Sequence, residues 1–534
     1  KGVRQTPWSE GQNVRQLEPM GFIKFDILGL STLRMIEDCI EKILRRHHGI
    51  TNPTFEDIKK FYDSHLHPDQ IDLDDQAVYE NIFHKGKWVG IFQFTENGAQ
   101  TFAKQVKPRS IIDISAITSI YRPGPLSAGV DREFVEAHNS PENVKYINDL
   151  VQEVTEETHG FLIFQEQIAM LAHKLGRNLT LDEGNLLRKV LTKKGTGKGH
   201  EVKDAIHEKF VLGCQDKGMP LWQAEDLWKT FEYFSGYGFN KSHAVSYSII
   251  SYQCAWLCHY YTTEWVASFL DKEPESRKEK AINLAKQHGY TIQPLSVNKS
   301  GRTWEILDDT TLVAPLTTIK GLGDKAIDQI LAHRPFETIE EFLFHDEIVY
   351  SKLNKKCLDA LARSGAMREL QDDRFTGDRH FWTATCVDRP RKLKNLGENI
   401  EKYRPEGNFT DDERIDFLAN LTGIFPINLV LDESIQRKLD QYCIPPISEY
   451  DPVLGMCWCI VREVTKKKTK GGKLFYVAKV IDNNSVETTI RCWSVNPERD
   501  VLYVNKTYMI KPQHNDTWGF STRGSLNNAW VMLG

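Results

Sequence analysis

The hydrophobic pattern of this chain changes period once, and that change demands two different kinds of structure in one molecule. Between residues 160 and 270 apolar residues recur at helical spacing. IFQEQIAMLAHKLG stops at Gly176, Thr180 and Glu183 have the spacing of a capping box, and Leu187, Val190 and Leu191 continue one face. From residue 453 the pattern becomes short alternating runs, GMCWCIVREV, KLFYVAKVID and VETTIRCWSV, divided by Gly, Asn and Asp turns. A helical pattern buries one stripe and an alternating pattern buries one sheet face, so the expectation is a mainly α-helical body followed by a small β-barrel. With 534 residues, the chain is a multidomain α+β protein of about three to five domains.

Composition narrows the function classes. The balance of 68 Lys and Arg against 73 Asp and Glu leaves a net charge of −5, which excludes a basic tail or histone-like protein. Hydrophobic residues at 40% and charged residues at 26% exclude collagen-like and broadly disordered chains. The longest uncharged run, SYSIISYQCAWLCHYYTT, is studded with Ser, Gln, Tyr and His, so it reads as a buried helix and not a bilayer span. The ten Cys are scattered, and neither CxxC nor HExxH occurs among them and the 17 His, which fits reduced cytosolic thiols and points to no structural zinc. The opening KGVRQTPWSEGQ has no apolar core of a signal peptide.

Several segments carry candidate chemistry. In GFIKFDIL, a period of two places Ile23, Phe25 and Ile27 on one strand face and Lys24 and Asp26 on the other. That pair is either a metal-binding carboxylate beside a phosphate-binding Lys or an ordinary ion pair on a half-exposed strand. The helix after it, STLRMIEDCIEKILRRHHG, is expected to be capped by Ser31 or Thr32 and closed by Gly49. Between residues 188 and 203, Arg188, Lys189, Lys193, Lys194, Lys198 and Lys203 oppose a single acid, Glu201. Lys189 and Lys193 stand at i, i+4 and repel unless anions lie between them, which suits phosphate, although a solvated basic face has the same pattern. The segment is not a P-loop, because Thr192 occupies the first Gly position and Gly199 follows Lys198.

In GYGFNKSHAVSYS, Tyr237, Phe239, Asn240, Lys241 and His243 precede or open a helix that Ser242 could cap, and a helix N-terminus with added cations suits a triphosphate. The aromatics could equally belong to a core. Further on, TTIKGLGDKAIDQIL places Gly321, Leu322 and Gly323 between Lys320 and Lys325, the pattern of a helix-hairpin-helix whose backbone N–H groups approach DNA phosphates; a plain αα turn uses Gly similarly. In the alternating region, Arg462, Lys466, Lys467, Lys468, Lys470 and Lys473 lie near Phe475 and Tyr476, which suits single-stranded nucleic acid or a solvated hairpin tip. Asp72 and Asp74 have the i, i+2 spacing of paired metal ligands but no strand pattern around them, so they read as loop acids.

In this order the motifs resemble the C-terminal part of the bacterial or phage DNA polymerase III alpha subunit, the C family of DNA polymerases, over nearly the whole chain. GFIKFDILGLSTL looks like the family's late palm motif, GIFQFTEN and SIYRPGP its early fingers motifs, and FQEQIAMLAHKLG with LLRKVLTKK its fingers helices. GYGFNKSHAVSYSIISYQCAW is the most specific of the set; IKGLG and TKGGKLFYVAKVID come next as helix-hairpin-helix and OB-fold motifs. The resemblance implies an end of palm at 1–50, fingers at 51–270, a helix-hairpin-helix duplex- and clamp-binding region at 271–370, a connector at 371–450 and an OB-fold at 451–534. It implies template-directed transfer of dNMP to a primer 3′-hydroxyl in the cytoplasm. Asp26 would be the third catalytic, metal-holding carboxylate, and Lys24, Arg188, Lys189, Tyr237 and His243 would bind the incoming nucleotide. Lys193, Lys241, Lys320, Gly321, Gly323, Lys325, Lys467 and Lys470 would contact DNA. Lys189 stands where the family usually has Arg, which gives up a bidentate phosphate contact.

The departures from the family are as informative. Its paired aspartates in a PDxDxD-type motif, its Gly/Ser-rich palm loop and its phosphoesterase-like domain should precede residue 1. One carboxylate does not hold the two Mg²⁺ ions of nucleotidyl transfer, so the chain is expected to be inactive without a missing N-terminal polymerase segment. Lys1 does not fit a split-intein junction, which needs Cys, Ser or Thr, and points to truncation at a reading-frame edge. Implied partners are primed DNA, dNTPs, a sliding clamp and other replisome subunits, with no membrane. The clamp-binding peptide has no confident counterpart, Gln371 to Phe375 (QDDRF) being a partial lookalike with Arg374 at an apolar position. Two alternatives share the motifs: a non-catalytic DNA-binding protein keeping the helix-hairpin-helix and OB modules, and an error-prone C-family paralogue.

Overall fold

The structure, a computed structural model, describes Gly21 and residues 29–534 apart from 123–124, 127–128, 193–196, 235–237, 275–276, 470, 484–486, 497, 516–518 and 534; side chains at 192, 197–200, 428 and 527 are also not described. The strand expected over GFIKFDIL, with Lys24 and Asp26, lies outside the described residues, as do Lys193, Tyr237 and Lys470.

Eight helices carry the candidate sites and the cores beneath them: α1 (Ser31–His47), α2 (Ile111–Ile120), α3 (Gln165–Leu175), α4 (Leu181–Thr192), α5 (Lys241–Tyr260), α6 (Thr262–Lys272), α7 (Asp324–His333) and α8 (Lys355–Arg363). Of the apolar stripe expected on α1, Ile36, Ile40, Ile43 and Leu44 are buried in a core shared with Ile114 and Ile117 of α2, Tyr252 and Leu257 of α5 and Trp265 and Leu270 of α6, whereas Leu33, in the first turn, is exposed. Neither Ser31 nor Thr32 caps α1: Leu30 holds the N-cap position without a side-chain hydrogen bond, because the helix starts one residue earlier than the hydroxyls would require. Gly49 lies just beyond the helix with φ +68°, the left-handed turn expected of it.

Charge also joins α1 to α6. The Lys42 ammonium, 10% exposed, lies 2.6 Å from Asp38 and 2.8 Å from Asp271, and Arg46 donates to the buried Glu264 at 2.6 Å. Burial pushes the Asp271 pKa up against the pull of Lys42. At Asp38 burial also pushes up, but Lys42 and Lys272 outweigh it and the pKa is lowered.

The uncharged run forms most of α5, where Tyr252, Cys254, Ala255 and Cys258 are buried and Gln253 donates to the Leu66 carbonyl at 2.8 Å. No helix among the described residues is long and apolar enough to cross a membrane. A second core gathers α3, α4 and the helices Gly197–Asp216 and Leu221–Phe234 around Leu171, Leu187, Phe210 and Phe231. As the pattern predicts, α3 stops at Gly176, and Thr180 and Glu183 exchange capping-box hydrogen bonds of 2.9 and 3.2 Å.

A three-stranded sheet comes next, with β1 (Thr291–Gln293) parallel and β2 (Glu305–Asp308) antiparallel to β3 (Thr311–Val313). Beyond it, α7 and α8 bury Ile327, Ile330, Leu358 and Leu361 in a third core. The helix Asp411–Thr422, capped by Thr410 and ended by Gly423 at φ +71°, packs Ile415 with Phe425 against Trp458 and Ile460.

The alternating region forms seven strands: β4 (Cys457–Lys468), β5 (Leu474–Ile481), β6 (Thr488–Trp493), β7 (Thr507–Ile510), β8 (Gln513–Asn515), β9 (Gly519–Arg523) and β10 (Trp530–Leu533). Their order is β10-β7-β4-β5-β6-β9-β8, antiparallel except for the β6–β9 pair. Tyr476, Ala478, Val480, Ile490 and Cys492 face one enclosed core with Tyr508 and Trp530. The sheet is curled and OB-like, but its edges, β10 and β8, do not pair with each other among the described residues, so it is a half-barrel where alternation alone predicted a barrel. All ten cysteines are free, nine of them buried.

Candidate nucleic-acid interface

The first of the predicted sites is the loop before α5. A parallel bridge between Phe164 and Phe239, with Gln165 N–H donating to the Phe239 carbonyl at 2.9 Å and Phe239 N–H to Ile163 at 3.1 Å, ties the start of α3 to the start of α5. The side chain of Gln165 then bridges two elements: its amide donates to the Gly238 carbonyl at 3.0 Å, and its oxygen accepts from Arg188 Nη1 of α4 at 2.9 Å. Beside it, Glu166 accepts from Asn240 Nδ2 at 2.7 Å and from the Lys241 N–H at 2.8 Å.

Asn240, not Ser242, is the N-cap of α5. Its oxygen accepts from the His243 N–H at 2.8 Å, and the Ser242 hydroxyl donates to the same oxygen at 2.7 Å from inside the first turn. His243 is exposed, its ring 4.1 Å from that of Tyr247 and 5.4 Å from Phe239. Lys241 is held by Glu157 at 2.6 Å. Arg122, which sequence reasoning did not single out, places its guanidinium 4.5 Å from the Phe239 ring centre and donates to the Ser119 carbonyl at 2.9 Å; burial lowers its pKa. Its signal was present in SIYRPGP, but no local pattern distinguishes an Arg on an aromatic face from a solvated one. Four cationic or titratable side chains thus gather around Phe239 at the positive end of a 20-residue helix, an arrangement able to hold a polyanion. Lys189, one residue beyond Arg188, is exposed.

The second site is the glycine hairpin. Gly321 has φ +95°, which its lack of a Cβ permits, while Leu322 is buried in the core beneath it. Gly323 occupies the N-cap of α7, and a Cβ there would meet nothing within 4 Å, so the first N–H groups of α7 are open to an approaching group. Lys320, Lys325 and both glycines are exposed. The N-terminus of α8, capped by Asn354, lies alongside: Cys357 Sγ is 3.8 Å from the Gly321 carbonyl, and the Lys356 side chain is 3.5 Å from where a Gly321 Cβ would be.

The third is the outer face of the C-terminal sheet. Strand register places Lys467 opposite Phe475, Phe475 opposite Trp493 and Trp493 opposite Arg523. The Phe475 and Trp493 rings stack at 4.5 Å and 27°. Tyr476 points the other way, into the core, and Arg462 lies over Phe425 at 4.2 Å, so neither joins this row.

Asp72 and Asp74 are exposed loop acids, as expected: Asp72 accepts from the Asp74 N–H at 3.0 Å in a local turn. Phe375 of the clamp-peptide lookalike is 6% exposed in the core of the hairpin region, and Arg374 pairs with Asp372 and Glu340 at 2.6 and 2.7 Å. Among the described residues, the group of ligand-type side chains close enough to share an ion is Asp113, His138 and His159, none of which sequence spacing singled out.

Comparison with known proteins agrees with this geometry. Residues 33–218 match the family model of the bacterial DNA polymerase III alpha subunit finger domain, and residues 289–376 match the helix-hairpin-helix motif. The fold and these matches define a class, polymerase fingers followed by a helix-hairpin-helix module and an OB-like sheet. Within that class the chain resembles a C-terminal part of the bacterial DNA polymerase III alpha subunit. It is 31% identical to DNA polymerase III subunit alpha of Chlamydia trachomatis serovar D over 92% of this chain and 40% of that protein. The corresponding figures are 28%, 88% and 39% for Aquifex aeolicus, and 31%, 66% and 28% for Campylobacter jejuni subsp. jejuni. The chain therefore spans well under half the length of these relatives.

Proposed function

We propose that this chain is the distal part of a replicative DNA-directed DNA polymerase, divided as palm end (1–50), fingers (51–270), hairpin region (271–370), connector (371–450) and OB-like sheet (451–534). The observation that carries the reading is the convergence of Arg188, Lys241 and His243 on the Phe239 loop, where α3, α4 and α5 meet. In this reading Arg188 and His243, with Lys189 and Tyr237, hold the triphosphate of the incoming dNTP, and Lys24 assists. The primer 3′-hydroxyl attacks the α-phosphorus, and pyrophosphate leaves into the cationic pocket. Two Mg²⁺ ions, held by Asp26 and by carboxylates outside this chain, would lower the pKa of the hydroxyl and neutralise the phosphates.

The remaining sites divide the DNA. Lys320, Gly321, Gly323 and Lys325 take duplex phosphates without reading sequence, Lys193 and Lys241 line the fingers side, and the Lys467–Phe475–Trp493–Arg523 row with Lys470 takes the single-stranded template. A sliding clamp and other replisome subunits are proposed partners in the cytoplasm; the burial of Phe375 argues against Gln371–Phe375 as a clamp-binding peptide.

Primer extension with Mg²⁺ and dNTPs, using this chain alone and then with a separately made N-terminal palm segment, tests the proposal. Activity is expected only in the mixture, and Asp26→Ala should abolish it while leaving duplex affinity intact. Activity of the chain alone would displace the metal site from Asp26. Silence in both arms with folded, DNA-binding protein would favour a non-catalytic DNA-binding protein, for which the hairpin and the sheet face suffice.

A further inference from the structure

Three finger segments converge on a polar cluster for which the proposed polymerisation has no use. Asp113 lies in the first turn of α2, His138 near the end of the helix Val130–Asn139, and His159 in the residue after the turn Glu156–Thr158. One ligand atom from each lies within 4.8 Å of the others, and Asp113 Oδ2 is 3.2 Å from His138 Nε2. Two donors on a tetrahedral ion with bonds of about 2.0–2.1 Å stand about 3.3 Å apart, so the Asp113–His138 pair already has the spacing of adjacent ligands.

The Asp113 contact does not satisfy the His138 ring: the residue is 4% exposed, its Nε2 faces Asp113, and its Nδ1 has no hydrogen-bond partner among the described residues, a need worth about 1–3 kcal/mol for a buried polar atom. His159 adopts a left-handed backbone, φ +53° and ψ +38°, rare for a non-glycine residue, and so presents its ring edge-on to His138 at 4.8 Å. The Arg109 N–H donates to Asp113 Oδ2 at 2.8 Å, which fixes the carboxylate beside His138.

We propose that Asp113, His138 and His159 bind a divalent transition-metal ion of the zinc class, with water completing the shell on the half-exposed His159 side. Two imidazoles and one carboxylate form a borderline-soft set that prefers such an ion to Mg²⁺. The ion fastens three segments separated in sequence, which makes it structural. This inference stands apart from the polymerase reading.

The test uses the full chain, stripped with a chelator, and Zn²⁺ or Co²⁺ alone as probes. Calorimetry should show one saturable site per chain. His159→Asn, a residue that tolerates the left-handed conformation, should weaken that site at least about a hundredfold, and Asp113→Asn should weaken it as well. Zn²⁺ should raise the melting temperature of the wild type and not of His159→Asn. Co²⁺ bound to the unmodified chain should show tetrahedral d–d bands without thiolate charge transfer, a readout that needs no variant to fold. Equal isotherms for wild type and His159→Asn, a thiolate band assigning the ion to the buried cysteines, or no saturable binding would each overturn the proposal.

Discussion

The cations of the fingers and those of the hairpin and sheet are held in opposite ways. Around the Phe239 loop, Arg188 is fixed by Gln165, Lys241 by Glu157 and Arg122 by a carbonyl and an aromatic face. Lys320, Lys325 and Lys467, in contrast, are exposed and make no ion pair among the described residues. A cation fixed in advance loses little entropy when it meets a small ligand in a single pose, whereas a loose lysine adapts to a phosphate backbone arriving in any register. On the proposed reading, the difference separates pre-set cations, which hold one triphosphate and, through Lys241, one edge of the DNA, from adaptable surfaces for DNA of any sequence, and substitutions can strain either side of it separately.

The largest effect should come from the most deeply held cation. Lys42→Met leaves Asp38 and Asp271 buried with less compensation, and should destabilise the fold by about 3–5 kcal/mol in urea unfolding. Its pH dependence carries a sign. In the wild type the Asp38 pKa lies below its unfolded value, so its contribution is present above about pH 4 and is lost as pH falls through the lowered folded value. Without Lys42, burial dominates at both carboxylates and their folded pKa values rise. The deficit relative to wild type should then be full near neutral pH and shrink as pH falls below the raised values. A deficit independent of pH would mean that packing, not charge, is what Lys42 supplies.

Next is Arg188→Ala in the reconstituted extension assay, expected to lower kcat/KM for dNTP by about 10²–10³-fold with primed-DNA affinity unchanged. Gln165→Leu, which removes the bridge while keeping the guanidinium, should give a smaller loss, and retaining Lys189 will not rescue it. An equal loss of DNA affinity would merge the two classes of cation.

How much of this was legible before the structure depended on how local the cause was. The stop of α3 at Gly176, the Thr180–Glu183 box, the buried helix α5 and the loop character of Asp72 and Asp74 arise from interactions within a few residues, and all were readable. What failed depended on register or on distant partners. Asn240 displaced Ser242 as cap because Glu166, 74 residues away, fixes its amide. Tyr476 was grouped with Phe475 beside the basic cluster, and strand alternation sends it into the core instead. Arg122 and the Asp113–His138–His159 cluster were invisible because tertiary packing alone assembles them.

On the adaptable side, Trp493→Ala breaks the aromatic pair with Phe475 and should cost about 1–3 kcal/mol in single-strand affinity by fluorescence titration, with little change for duplex. Loss on duplex alone would exchange the roles of sheet and hairpin.

The smallest and most discriminating change is Lys325→Ala. Because Lys325 makes no ion pair among the described residues, its removal should not disturb the fold, and the open N–H groups of α7 remain in place. Binding should weaken uniformly across sequences, and the slope of log K against log salt should fall by about one, the release of one counterion. Lys241→Ala should behave differently, since its ammonium is already neutralised by Glu157 and releases little when DNA arrives. If both variants lower the slope equally, the Lys241–Glu157 pair opens on binding, and the fingers cations belong with the adaptable ones.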